Sequence, residues 1–278
     1  MSDDYRGVSV LVTGASKGLG RACAFELARR GAHLILLARS EPGLRRLAVE
    51  IQELHGGPEP EVVTGDLTAP GGPDRVLQEL RDRGLTVDLL LNNAGAGSVG
   101  PFLSRPLGPQ LGTVRLNIDG VLTLTHALAA DMAARGSGGI INVSSTAAFQ
   151  PLPYQATYAA TKAFVLSFTE ALAGELRGTG VHVMAAHPGA VATGFFDGTS
   201  ASVDPRAVDT PEYVAARTLD DYARRRAASY PGRPLTRAQT WISRLLPRTA
   251  VVRVAGALNR RLGFHEVVDV PGPAAAQA

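Results

Sequence analysis

Cysteine is almost absent from this chain: among its 278 residues there is one, Cys23. A single thiol excludes an internal disulfide and any zinc site built on cysteines, and its expected place is buried and inert. No metal site is expected. Lysine is nearly as scarce, with Lys17 and Lys162 the two lysines among 28 basic residues. A chain that writes arginine almost everywhere needs a reason to keep lysine at two positions. Acidic residues are missing between Tyr222 and His265, a stretch that holds ten arginines. The remainder carries 18 basic against 25 acidic side chains, so a net charge of +3 conceals a body near −7 and a basic C-terminal segment. Apolar runs of 18 residues, long enough to span a bilayer, are also missing. Met1 to Gly7 is polar and acidic, unlike a secretory leader, and a cytoplasmic protein is the expectation.

What is present is a large apolar content, 45% against 19% charged residues, as in a globular domain with a substantial core. Short apolar runs at Val8 to Thr13, Leu34 to Leu37, Glu61 to Thr64, Val87 to Leu91, Gly139 to Ser144 and Val181 to Ala186 read as strands. Helical patterns lie between them: Leu19 to Arg30, Glu41 to Leu54, Asp74 to Arg83, Leu107 to Ala134 and Thr157 to Arg177. Buried strands alternating with helices predict an α/β fold, a doubly wound parallel sheet covered on both faces. Ala192 to Thr210 reads as a surface loop, followed by a helix from Pro211 to Arg226 and an edge strand near Ser229 and Tyr230. Two basic amphipathic helices, Thr236 to Leu246 and Arg248 to Leu262, come next. The expected division is a catalytic domain over 1–232, a helical extension over 233–265 and a disordered tail over 266–278.

Thr13-Gly14-Ala15-Ser16-Lys17-Gly18-Leu19-Gly20 sits between the first strand and the first helix. Glycines there let the backbone approach a pyrophosphate, which rests on the helix N-terminus. A tight turn alone would also use glycine, but this position in an alternating α/β chain favours nucleotide binding. At the end of the second strand stand Ala38, Arg39 and Ser40, where an NAD site needs a carboxylate for the ribose hydroxyls. Guanidinium grips the extra phosphate of NADP instead, and Lys17 adds a second charge. The cofactor expected is NADP(H).

Tyr158 and Lys162 are four residues apart in a helical stretch and share one face. A free tyrosine titrates near pH 10, roughly, and a neighbouring cation favours the phenolate. Ser145 closes the preceding strand, where its hydroxyl can hold a substrate oxygen beside the phenol. Arginine stays charged at any ordinary pH, so a proton relay explains why lysine is kept at 162.

Taken together these motifs resemble the short-chain dehydrogenase/reductase family, in its compact single-domain branch. The resemblance runs from residue 8 to about 195 and includes Asp66-Leu67, Asn92-Asn93-Ala94-Gly95, Asn117-Ile118-Asp119-Gly120 and Pro188-Gly189-x-x-x-Thr193. It implies that Tyr158 is the general acid in reduction and the base in oxidation, that Lys162 depresses its pKa and binds the nicotinamide ribose, and that Ser145 polarises the substrate oxygen. Asn117 would hold a water that links Lys162 to a proton relay. Gly14, Ser16, Lys17, Gly18, Leu19, Gly20, Arg39, Asp66 and Leu67 would contact the cofactor. So would Asn93, Ala94, Gly95, Pro188, Gly189, Val191 and Thr193, with Asp66 at the adenine ring and Asn93 near the adenosine ribose. Asn92 would tie neighbouring strands through backbone hydrogen bonds. A homodimer or homotetramer built on the long helices is implied as well.

The implied activity is NADPH-dependent reduction of a ketone or aldehyde. The same residues would serve an NADP-dependent alcohol dehydrogenase, and a non-catalytic NADPH-sensing protein is the reading from another class. Phe102, Leu152, Tyr154, Gln155, Phe195 and Phe196 would line an apolar pocket for a hydrophobic carbonyl or alcohol substrate. His187 reads as a packed, hydrogen-bonded histidine or a substrate contact, and His126 as structural or at a subunit contact. The arginine-rich helices have three readings: packing on the domain or a partner subunit, contact with a membrane surface, or steering of an anionic substrate. Nucleic acid is not an expected partner, since no recognition motif accompanies the charge.

Overall fold

The computed structural model describes residues 5–268, apart from 198, 202, 203, 205 and 207, and leaves out the side chains of 196, 235, 236, 239, 242 and 244. Seven parallel strands form one sheet: β1 (Ser9–Thr13), β2 (His33–Ala38), β3 (Glu61–Thr64), β4 (Leu89–Asn92), β5 (Gly138–Val143), β6 (Val181–Ala186) and β7 (Ala228–Ser229). Their order is β3-β2-β1-β4-β5-β6-β7, so the winding reverses between β1 and β4. Ligands of such sheets bind in the crevice that this reversal opens at the strands' C-terminal ends.

Successive strand side chains point to opposite faces, and that alternation builds two cores. Val10, Val12, Leu34 and Leu36 meet α1 (Gly18–Arg29), α2 (Glu41–His55) and α7 (Pro211–Ala223) on one face. Leu11, Ile35, Leu37 and Leu90 meet α3 (Gly72–Asp82) and α5 (Val121–Arg135) on the other. Helix α6 (Ala156–Glu175) packs along β6 and carries the residues expected to be catalytic. Cys23 lies in the first core, where burial pushes its thiol up to about 12, as an inert cysteine requires. Arg30 is buried between Glu26 and Asp220 and so fastens α1 to α7.

The expected fold class holds, and three details differ. The stretch over 107–134 is three pieces: α4 (Leu107–Val114), a π-helical turn at Arg115–Gly120, and α5. A π turn interrupts the regular hydrogen-bond ladder without stopping the apolar periodicity, so the pattern alone reads as one helix. Helix α7 ends at Ala223 rather than Arg226, because Arg225 turns into the left-handed region with φ +53°. The loop over 192–210 holds a 3-10 turn at Gly194–Phe196, and a bridge between Val191 and Asp209 closes its base. Helices α8 (Pro234–Leu245) and α9 (Arg248–Arg261) follow, α8 packing on the turn Thr146–Phe149. The expectation of a disordered tail falls mostly on 269–278, outside the described residues.

Candidate active site

The glycine turn is fixed by lack of room. Gly14 has φ +67°, and a Cβ there would lie 2.9 Å from the Ala94 Cα. At Gly20 a Cβ would lie 2.3 Å from the Gly14 carbonyl oxygen, so any side chain would push α1 off the turn. Gly18 (φ +56°) sits under Thr193, whose methyl would be 3.1 Å from an added Cβ. Residues from β1, β4 and the loop after β6 thus converge on one backbone cradle. The N-terminus of α1 has no side-chain cap and no acid in its first turn, whereas Ser40 and Thr210 cap α2 and α7. Open backbone N–H groups without a competing carboxylate suit a phosphate.

Lys17 precedes α1 and is exposed, as is Arg39 at the end of β2. Arg39 lies close enough to Asp66 to help hold its carboxyl below the usual range, after the two hydrogen bonds from Thr68. The basic corner and Asp66 therefore share one rim of the crevice. Ser16 and Leu19 flank the turn, both half-buried. Leu67 turns its side chain into the core beneath Gly120, leaving its backbone for any ligand contact.

Two asparagines organise the turn and the strands behind it. Asn93 donates to the Thr13 carbonyl at 2.9 Å, and the Thr13 hydroxyl accepts from the Asn93 and Ala94 backbone N–H groups. Its side-chain amide shapes the turn. Asn92 ties strands together both through its place opposite Asn142 in the β4–β5 ladder and through its side chain: it donates to Asn142 and to Thr125, and Asn142 donates to Thr169. Buried amides need such partners, and a closed chain of them fixes β4, β5, α5 and α6 in one register.

At the end of β5 the catalytic candidates meet. Tyr158 is half-buried in the first turn of α6 and hydrogen-bonded with Ser145. Ser145 also accepts from the Ala147 backbone N–H and sits 3.4 Å from the Pro188 carbonyl oxygen. Lys162 is buried, donates to the Val143 carbonyl at 2.8 Å, and lies 5.9 Å from the centre of the Tyr158 ring. An added Cβ at Gly95 would come within 3.4 Å of Lys162 Nζ and 3.5 Å of Asn117 Oδ1, so these groups share one small space. The Asn117 side chain donates to the Ala96 carbonyl and to Thr161 and accepts from the Ala96 N–H. A water held by Asn117 would therefore meet its main chain, within the π turn.

Burial, not the lysine, dominates both titrations. It pushes the Tyr158 phenol above the ordinary tyrosine value, the Ser145 bond offsetting part of the rise. It also pushes the Lys162 ammonium down to about 8. In the protein alone burial is the larger influence on each, because both groups are taken out of water.

The substrate side is assembled from distant segments. Phe195 places its ring 5.0 Å from that of Tyr158, edge on. Phe102 and Tyr154 line a cavity of about 20 Å³ with Ser98, Gly100, Gln110 and Thr157. That is room for about one water. Tyr154 is held at φ +69°. Leu152 and Gln155 are half-buried beside it, Gln155 donating its backbone N–H to the Leu152 carbonyl. The side chain of Phe196 is outside the described residues. His187 is packed between Phe149 and Tyr230, and its ring nitrogens have no hydrogen-bond partner among the described residues. Burial pushes it down to about 4, which keeps it neutral, and its packing is as expected. His126 is exposed on α5. Thr161 and Val143 were not singled out by sequence. Thr161 adjoins Lys162 directly, which is the one signal that could have found it.

The sequence pattern described as short chain dehydrogenase matches residues 9–203. The chain belongs to the short-chain dehydrogenase family. A short chain dehydrogenase of Pseudocercospora fijiensis is 36% identical over 188 residues, 67% of this chain and 60% of that one. The 17-beta-hydroxysteroid dehydrogenase type 3 of Mus musculus is 35% identical over 190 residues, 67% of this chain and 61% of that one. The matched stretch thus spans about three fifths of these curated relatives. Among solved structures, a family member from Sphingobium yanoikuyae in complex with NADPH has a TM-score of 0.76 at 32% identity, covering 85% of this chain and 91% of that one. The family pattern ends at residue 203, so α7, β7, α8 and α9 lie beyond it.

Proposed function

We propose that this chain reduces a hydrophobic ketone or aldehyde to the alcohol with NADPH. The observation that carries the reading is the meeting of Tyr158, Ser145 and Lys162 at the end of β5, beside an uncapped helix N-terminus and a glycine cradle. NADPH supplies the hydride when bound. The backbone of Gly14 to Gly20 would hold its pyrophosphate, and Lys17 and Arg39 its additional phosphate. Asp66 would meet the adenine end and Val191 and Thr193 the nicotinamide end of that crevice, and Lys162 would hold the ribose nearest the reaction. The NADPH in the Sphingobium relative supports the cofactor choice, and the mouse steroid dehydrogenase supports an apolar substrate.

The chain's own chemistry is acid catalysis. Tyr158 gives its proton to the carbonyl oxygen while Ser145 donates a hydrogen bond to the same oxygen. Lys162 supplies positive charge behind the phenol. A phenol held above the ordinary tyrosine value by burial keeps its proton at neutral pH, as a general acid must. Tyr158→Phe tests the assignment: turnover should fall by about 10²–10⁴-fold, with NADPH binding, read by fluorescence titration, unchanged. Retained turnover would refute it.

A further inference from the structure

Apolar side chains left in water concentrate on the C-terminal helices. Leu245 is 81% exposed, and Leu246, Val254, Leu258 and Leu262 are also exposed. On α9 the inward face is plain: Val251, Ala255 and Asn259 recur every four residues and are buried. Val254 and Leu258 form the next stripe outward. Arg248, Arg253 and Arg261 are exposed along the same helix and form no ion pair among the described residues. By contrast Arg226 pairs with Asp221 and Arg233 with Asp209.

The same helix is bonded to the rim of the candidate active site. Asn259 donates to the Pro153 carbonyl at 2.8 Å, and Arg260 donates to the Tyr154 hydroxyl at 2.7 Å. Just past α9, Val267 meets Gly100. Next along that rim, Leu103 is 95% exposed, with Phe102 and Leu107 also exposed. Exposed apolar side chains thus lie both on α9 and on the rim to which it is bonded.

We infer that α8, α9 and this rim form one face that docks on an anionic lipid surface and turns the mouth of the cleft towards it. Apolar residues flanked by arginines match the acyl boundary and the anionic headgroups of one leaflet. A second copy of the chain is the poorer occupant, because a two-fold contact would set these arginines against themselves. Docking is peripheral: among the described residues no helix is long and apolar enough to cross a membrane. The inference goes beyond the reductase reading, and it is measured without turnover, so the two can fail separately.

The test is sedimentation of the full chain with vesicles of phosphatidylcholine mixed with phosphatidylglycerol, and with phosphatidylcholine alone. Binding should occur on the anionic vesicles, weaken as salt is raised, and drop by about tenfold or more in the Arg248→Glu, Arg253→Glu, Arg261→Glu triple variant. Leu258→Glu should weaken it as well. All four positions are exposed, so an unchanged thermal melt is expected and separates lost binding from lost folding. Equal binding to both vesicle types, or none, overturns the proposal. So does a native dimer that Leu258→Glu converts to a monomer in analytical ultracentrifugation, which would give the face to a second copy.

Discussion

The nucleotide side and the substrate side of this molecule are built on different constraints. On the nucleotide side, close contacts reach the backbone itself: Gly14 against Ala94, Gly20 against Gly14, and the Thr13 hydroxyl against the Asn93 N–H. Few residue types satisfy such contacts. On the substrate side, loops are held by side chains far away in the chain. Phe264 and Val267 cluster with Val99, Ser200 and Val268 exchange hydrogen bonds, and Asn259 and Arg260 hold Pro153 and Tyr154. Many residue types could serve there, so the two sides should respond differently to change.

The strongest way to break the comparison is Gly20→Val. A side chain there has no space, and about 1–3 kcal/mol of stability should be lost together with measurable NADPH binding. A denaturant melt paired with a cofactor titration checks both; retained binding would mean the cradle is not where it is placed. Arg39→Asp should act on the cofactor alone. Loss of one charge-assisted contact and gain of a repelling carboxylate should shift preference towards NADH by about tenfold or more, without a change in melting. Val267→Ala belongs to the other side. It should cost about 1–2 kcal/mol and raise KM for the ketone severalfold, while the NADPH dissociation constant stays put. If cofactor affinity moved instead, the separation of the two sides would be wrong.

The smallest effect concerns pH. Burial holds Tyr158 above the ordinary tyrosine value, and an acid works while protonated, so the reductive rate should stay level through neutral pH and fall at alkaline pH. Oxidation of the alcohol should rise over the same range. For Lys162 the folded value of about 8 lies below the unfolded value of roughly 10.4. Between them the unfolded chain binds more protons, so stability gained through this residue rises with pH across that window. Lys162→Met should remove that slope in melts taken at several pH values.

What was legible in the sequence follows the same division. The strands show because apolar runs such as Leu34 to Leu37 have to be buried on both faces, and the glycine turn and the Tyr158–Lys162 spacing show because local geometry dictates them. The π turn at Arg115–Gly120 was hidden, since it leaves the apolar pattern of a long helix intact. Hidden too was the use of the Asn93 and Asn117 side chains on backbone partners, because an amide gives no sign in sequence of where it donates. Nor could spacing show that residues 259–268 would lace the substrate rim. That depends on contacts across more than a hundred residues of chain, such as Asn259 with Pro153.

The most direct test of the account is steady-state turnover of the native chain on a series of hydrophobic ketones, with NADPH and with NADH, followed by absorbance of the reduced nicotinamide. Reduction of at least one ketone, with kcat/KM higher for NADPH by about tenfold or more, is the predicted result. Equal or better turnover with NADH would contradict the reading of Arg39 and Lys17, and no turnover of any ketone or aldehyde with either cofactor would contradict the reductase itself.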